Sequence, residues 1–251
     1  DWNDRLIGIK VTRGVGKTTF LLQYAKEKFG TDRSCLFINM NNFYFSGHSI
    51  VDFAYEFQRR GGKVLLIDQV FKHPDWSKEL RLCYDRFPNL KIVFTGSSVM
   101  RLKEENLELR DIVKSYNLRG FSFREYLHLQ TGMKFRSYSL EEIQSNHEQI
   151  AKGILSKVRP LDHFQDYMHH GFYPFFLEKR NFSENLLKTM NMMVEVDILL
   201  IKQIELKYLT KIKKLLYFLA VDGPKAPNVS QLANDIQTSR ATGMNYIKYL
   251  A

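Results

Sequence analysis

The chain predicts an α/β fold, a parallel sheet flanked by helices, followed by an all-helical region. Three observations carry that expectation. Short apolar runs alternate with helical stretches through the first 120 residues, a glycine-containing loop joins the first run to the first helix, and from about Phe121 onward the apolar residues recur only at helical spacing.

The elements follow in order. "RLIGIKV" (5–11) is the first strand, "CLFINM" (35–40) the second, "KVLLIDQV" (63–70) the third and "KIVFTGSS" (91–98) the fourth. Each is a short apolar run with little alternation, as expected for strands covered on both faces. A fifth candidate is "IVKSYNLRG" (112–120), with a boundary placed at Leu118–Ser122. Beyond it "SENLLKTMNMMVEVDILLIKQIE" (183–205) keeps helical periodicity, and its Met and Leu stripe reads as core filling. The connector "DGPKAPN" (222–228) separates a last helical piece. The expected organisation is a core at 1–120, a helical lid at 121–222 and a third segment at 223–251.

Composition narrows the classes. With 251 residues and 44% hydrophobic content the chain can bury a full core. Lys and Arg outnumber Asp and Glu by 37 to 27, a net charge of +10, which favours an anionic partner such as nucleotide or nucleic acid. Cys35 and Cys83 are too few for a disulfide framework, and no apolar run approaches the roughly 20 residues that span a bilayer. A reducing, cytoplasmic setting is expected. A chain that begins at Asp1 and stops inside a helical pattern reads as a piece of a longer protein.

The loop in "GIKVTRGVGKTTFLLQ" (8–23) carries the chemistry. Gly16, Lys17 and Thr18 give the end of a phosphate-binding pattern that asks for a further glycine five residues earlier, where this chain has Val11. The loop follows a strand and precedes a helix, so free N–H groups and the positive end of the helix dipole face any anion there. Gly14 and Gly16 let the backbone close around phosphates. Lys17 would reach the β- and γ-phosphates and Thr18 would offer a hydroxyl to Mg²⁺. The expected binding set is Arg13, Gly14, Val15, Gly16, Lys17, Thr18 and Thr19. A dinucleotide fingerprint fits less well, because Thr19 stands where its third glycine belongs. The bland alternative is a chance glycine turn.

The third strand ends in Asp68, the form of a strand whose carboxylate holds Mg²⁺ at the carboxyl edge of a sheet. The next residue, where a glutamate general base is usual, is Gln69. An amide cannot take a proton, although it can orient a water, and a missing general base removes about 10²–10⁴-fold in rate. Asp75 and Glu79 are the nearest acids in sequence.

"TRGVGKTTFLLQ", "VLLIDQVFKHPDWSKELRLCYDRFPNLKIVFTGSS" and "LRGFSFREYL" together resemble the AAA+ P-loop ATPases of the prokaryotic AAA_14-like group, over residues 5–130. Val11 and Gln69 depart from that family's pattern. The resemblance implies a five-stranded parallel sheet, a helical lid and a winged helix, with ATP and Mg²⁺ as ligands and nucleotide-driven movement of the helical parts. By it, Thr95 or Ser97 is a polar sensor of the γ-phosphate, or else Gly96, Ser97 and Ser98 only turn the strand. By it too, Arg110 reaches a neighbouring subunit's nucleotide in a homo-oligomer, or else it is a solvated arginine paired with Glu105, Glu108 or Asp111. Tyr173 or Pro174 in "HGFYP" would lie against adenine, the alternative being a turn between helices. His163, His169 and His170 lack a cysteine or clear acidic partner for zinc, and no N-K-x-D element follows Asp68 to favour guanine.

The last piece, "NVSQLANDIQTSRATGMNYIKYLA" (228–251), reads as two short helices joined by "QTS", with Thr238 or Ser239 as cap. It resembles a helix-turn-helix within a winged helix. In a DNA-reading version Arg240, Thr242, Asn245 and Lys248 face the groove; otherwise the segment makes lid or protein contacts. The functional expectation is a Mg-ATP-binding ATPase whose catalytic set is Lys17, Asp68, Gln69, Ser97 and Arg110, with Thr18 and Asp68 on the metal. The alternative is a hydrolysis-deficient ATP-sensing switch or DNA-binding regulator.

Overall fold

The computed structural model describes residues 2–97, 100, 102, 106–178, 181–223 and 226–250. Five strands form one parallel sheet: β1 (Leu6–Val11), β2 (Cys35–Asn39), β3 (Val64–Asp68), β4 (Lys91–Ser97) and β5 (Lys114–Leu118), in the order β2-β3-β4-β1-β5. All five expected strands are present. Register places Leu6 beside Ile92, Ile38 beside Ile67 and Val11 between Ser97 and Leu118.

The period of two along each strand divides the core between the two faces. Leu6, Leu65, Ile67, Ile92 and Phe94 pack on one face with Ile50 and Ala54 of α2 (Ile50–Arg59) and Leu80 and Cys83 of α3 (Trp76–Arg86). Ile7, Ile9, Val64, Leu66 and Val93 pack on the other with Leu21 of α1 (Lys17–Phe29). Every residue of β3 is buried, so its apolar run is continuous and not alternating. Because all strands run the same way, Val11, Asn39, Asp68 and Ser97 finish at one edge, where α/β sheets place their ligands.

The chain divides into two compact units. One comprises the amino terminus through Arg13, Lys17–Leu118 and the chain from Leu186 onward; the other comprises Gly14–Gly16 and Arg119–Asn185. The stretch 121–222, expected as one lid, is thus shared between them at Asn185 and Leu186.

In the second unit, α4 (Phe123–Thr131) opens with a capping box in which Ser122 and Glu125 satisfy each other's N–H groups. Gly120 is required there: a Cβ would stand 2.2 Å from the Phe172 carbonyl oxygen, which accepts the Phe121 N–H at 2.9 Å. The "RGFSFRE" sequence therefore encodes a close backbone approach followed by a cap. Tyr126, Tyr167, His170 and Phe176 form an aromatic cluster beside it. Helices α5 (Leu140–Leu155) and α6 (Pro160–Asp166) complete this unit and bury no residue fully.

From Phe182 a helix runs through α7 (Phe182–Met192), a π-helical turn (Met193–Ile198) and α8 (Leu199–Lys202), ending at left-handed Gln203. Val194 and Ile198 then pack with Ile212 and Leu215 of α9 (Leu209–Val221), Leu232 of α10 (Val229–Asp235) and Tyr246 of α11 (Arg240–Leu250). Ser239 caps α11 by accepting the Thr242 N–H at 3.2 Å, and a Cβ on Gly243 would come within 3.1 Å of Ala233, so α10 and α11 cross closely. Among the described residues this carboxy-terminal part contains no strand, and no helix is long and apolar enough to cross a membrane.

Candidate functional site

The site begins where β1 ends. Val11 is 1% exposed and lies in register with strands on both sides, so it keeps extended backbone and has no need of glycine's freedom. The loop's turning is done later, by Gly14 (φ 87°) and Gly16 (φ 90°), both in the left-handed region. Val15 between them is buried, whereas Thr19 is exposed on the first turn of α1. That first turn has no acidic residue of its own.

Lys17 opens α1 at only 8% exposure. Burial lowers its pKa below the usual lysine range; the charge of Asp197 is the strongest opposing influence, ahead of Asp68, while Arg13 and Lys72 act in the same direction as burial. A partly desolvated ammonium at a helix amino terminus is a strong attractor for an anion that can reach it.

Thr18 Oγ1 donates to Asp68 Oδ2 at 2.7 Å. Asp68 is fully buried, and a buried carboxylate requires partners. It has three: Thr18, Asn39 Nδ2 at 3.2 Å on Oδ2, and Thr95 Oγ1 at 2.5 Å on Oδ1. Strand register supplies Asn39, the residue paired with Asp68 across β2 and β3. Thr95 uses the remaining side of its hydroxyl to accept the Gln69 N–H at 3.1 Å, so its oxygen fixes the turn that follows β3.

Gln69 occupies that turn with φ 57°, left-handed for a residue that is not glycine, and its Oε1 is buried without a protein partner. Left-handed backbone and an unpartnered polar atom thus coincide at one residue, next to Asp68. The two alternative acids are committed elsewhere. Asp75 is exposed and pairs with Lys78 at 2.7 Å, while Glu79 accepts from the Ile50 N–H at 2.5 Å and meets His73 at 3.2 Å.

Arg13 does not stand free in the loop. Its Nη2 lies 2.5 Å from Asp197 Oδ1 and its Nε 3.4 Å from Oδ2. Ser97 is buried at the end of β4 in register with Val11. Arg110 is exposed at the end of a short turn, and its neighbouring acids are engaged: Glu108 accepts from Ser77, and Asp111 pairs with Arg81. Glu105 and Ser98 fall outside the described residues. Tyr173 stacks on Phe175, with burial raising its phenol pKa, and a Cβ on Gly16 would lie 3.9 Å from Pro174 Cγ. His169 and His170 face each other through Nδ1 at 3.3 Å; among the described residues no three metal-ligating groups converge. On α11, Arg240, Asn245 and Lys248 are exposed, whereas Thr242 is tied to Ser239 at 2.9 Å.

Asn39, Asp197 and Lys72 were not among the sequence candidates. Asn39 carries a legible signal, a polar residue closing an apolar strand. Asp197 carries a fainter one, an acid among apolar residues at helical spacing, in "VEVDILLI".

Comparison with known proteins follows the geometry. Residues 3–127, about half of the chain, match the AAA_14 family, an AAA domain. Uncharacterized protein MJ1637 of Methanocaldococcus jannaschii is 29% identical over 266 residues, covering 99% of this chain and 55% of that protein. The chain thus spans about half the length of this relative. Solved structures with similarity include the Orc1 protein of Aeropyrum pernix in complex with DNA (11% identity, 98% of this chain and 77% of that chain, TM-score 0.37). Others are a RuvB variant of Thermotoga maritima (16%, 98% and 79%, TM-score 0.36) and AMPPCP-bound DnaA from Aquifex aeolicus (12%, 99% and 82%, TM-score 0.35).

The hydrogen bonds of Thr95 make a direct prediction. Thr95→Val keeps the shape but removes the donor to Asp68 and the acceptor for Gln69, and is expected to destabilise the protein by about 1–3 kcal/mol. Thr95→Ser should retain most of the stability. Urea unfolding of the three proteins is the check; a valine variant as stable as wild type would mean that the hydroxyl is dispensable to the turn.

Proposed function

Residues 3–127 are an AAA domain of the AAA_14 family, and from that premise we propose that the chain is a Mg-ATP-binding ATPase module whose nucleotide state moves the helices that follow residue 120. The observation that carries this reading is the constellation at the sheet edge. Lys17 is buried at the amino end of α1 beside two left-handed glycines, and Thr18 is bonded at 2.7 Å to the fully buried Asp68.

Arg13, Gly14, Val15, Gly16, Lys17, Thr18 and Thr19 are assigned to the nucleotide. Backbone N–H groups of the loop and the Lys17 ammonium take the phosphates. Thr18 and Asp68 are hard oxygen donors of the kind Mg²⁺ prefers, and the ion when bound supplies positive charge against the phosphate oxygens. Gln69, with its side-chain oxygen unpartnered, would hold a water in place without accepting its proton. Arg110, exposed and unpaired among the described residues, is available to a second subunit. Ser97, buried at the end of β4, is the second sensor candidate beside Thr95, whose hydroxyl joins Asp68 to the Gln69 N–H.

A second reading rests on Gln69 itself. With an amide in the base position and neither Asp75 nor Glu79 free to replace it, the module would be an ATP-occupied switch that hydrolyses slowly. In that case the exposed Arg240, Asn245 and Lys248 of α11 and the net charge of +10 favour DNA as the partner that reads the switch.

Two substitutions test these readings, the first the nucleotide site they share and the second the hydrolysis on which they differ. Lys17→Ala should leave the fold intact and weaken Mg-ATP binding by at least about tenfold, the loss of one charge-assisted hydrogen bond of about 1.5–3 kcal/mol. Titration calorimetry reads the change, and equal affinities would remove Lys17 from the site. Gln69→Glu should raise single-turnover ATP hydrolysis at least about tenfold by restoring a general base. A rate that stays flat while ATP still binds would mean that the site lacks more than a base, and the ATPase reading would give way to the switch.

A further inference from the structure

The ion pair between Arg13 and Asp197 joins the loop after β1 to the π-helical turn of Met193–Ile198, and both ends belong to the same compact unit. Asp197 is completely buried, with buried Val194 and Ile198 on the same turn. Its carboxylate takes two contacts from one guanidinium, and among the charges around Lys17 it is the strongest that favours the ammonium, ahead of Asp68. This buried anion is ion-paired with Arg13 of the proposed phosphate loop, and its charge also acts on Lys17.

A carboxylate in that position has a consequence for any ligand. A triphosphate approaching Lys17 and Arg13 meets a negative charge already held by the groups it needs, in surroundings of low dielectric where like charges repel strongly. We propose that Asp197 is a built-in counter-anion of the phosphate site, which holds Arg13 and balances Lys17 in the empty protein and is displaced when a polyphosphate binds. This rests on the nucleotide reading given above and adds to it a residue far away in sequence that sets affinity.

The position on a π-helical turn fits that role. Such a turn is rare within an α-helix and frequently marks a functional site. Downstream of Asp197, Leu200, Ile201 and Gln203 line a cavity of about 410 Å³ together with Phe71, His73 and Trp76. Release of Asp197 thus bears directly on the segment that follows Asp68 and Gln69, and gives nucleotide binding a path to the carboxy-terminal helices.

The test measures Mg-ATP and Mg-tripolyphosphate affinities by calorimetry for wild type and Asp197→Asn, with hydrogen exchange of residues 193–202 followed with and without ATP. The expected result is binding at least about fivefold tighter in Asp197→Asn for both ligands, the lower end of typical coupling between sites. In wild type, ATP should accelerate exchange across 193–202. A purely structural ion pair predicts the reverse for affinity, because its loss loosens the loop. Unchanged or weaker binding by a folded Asp197→Asn, or exchange in wild type that ATP leaves alone, overturns the counter-anion while the nucleotide site stands. The wild-type exchange decides the matter even if the variant does not fold. Wild type that binds neither ligand overturns the nucleotide reading together with it.

Discussion

The constraint on which the site depends is the burial of Asp68. A carboxylate at zero exposure at the end of an apolar strand must find its hydrogen bonds within the protein, and three different elements provide them: Thr18 from α1, Asn39 from β2 and Thr95 from β4. Those bonds settle more than the aspartate. They fix the first turn of α1 against the sheet edge, pin the register of β2 against β3, and through Thr95 hold Gln69 in its left-handed turn. This edge of the sheet is therefore held in place by the protein's own hydrogen bonds.

Charge is arranged around that fixed point with the opposite sign. Arg13 and Lys72 add to the burial that disfavours the Lys17 ammonium, and Asp197 and Asp68 are the two anions that offset it. Asp68 is locked by neutral donors, while Asp197 is held by an arginine of the loop itself. The difference gives the two acids different roles: one belongs to the frame, the other can be exchanged for a ligand. Removing one partner of a buried ion pair typically costs about 3–5 kcal/mol, so an incoming polyphosphate is well suited to replace Asp197, since it leaves Arg13 and Lys17 with an anion.

The sheet was legible in the sequence because its central strands, β3 above all, are short apolar runs buried on both faces, whereas the edge strand β5, KSYNL, buries none of its residues. Gly14 and Gly16 were legible because two left-handed positions this close together favour glycine, and Lys17 because it follows them in the phosphate-binding pattern. Val11 was harder to weigh: as the last paired residue of β1 it is extended, and the turning it was expected to hinder happens at Gly14 and Gly16. Asp197 is 184 residues from Arg13, and no local pattern carries a pairing over that distance. Nor does periodicity reveal how the helical stretch divides at Asn185, because amphipathic helices of either unit look alike. The hydroxyl of Thr95, a sensor candidate alongside Ser97, is engaged by Asp68 and by the Gln69 N–H, a pairing that no local pattern announces.

The measurement that bears most directly on this account is the dependence of ATP affinity on Mg²⁺ in wild type and in Asp68→Asn, each titrated with the metal present and with EDTA. If Thr18 and Asp68 form the metal side of a nucleotide site, Mg²⁺ strengthens ATP binding in wild type and has little effect in the variant. The same gain from Mg²⁺ in both proteins would contradict it, and would leave Asp68 as a structural carboxylate only.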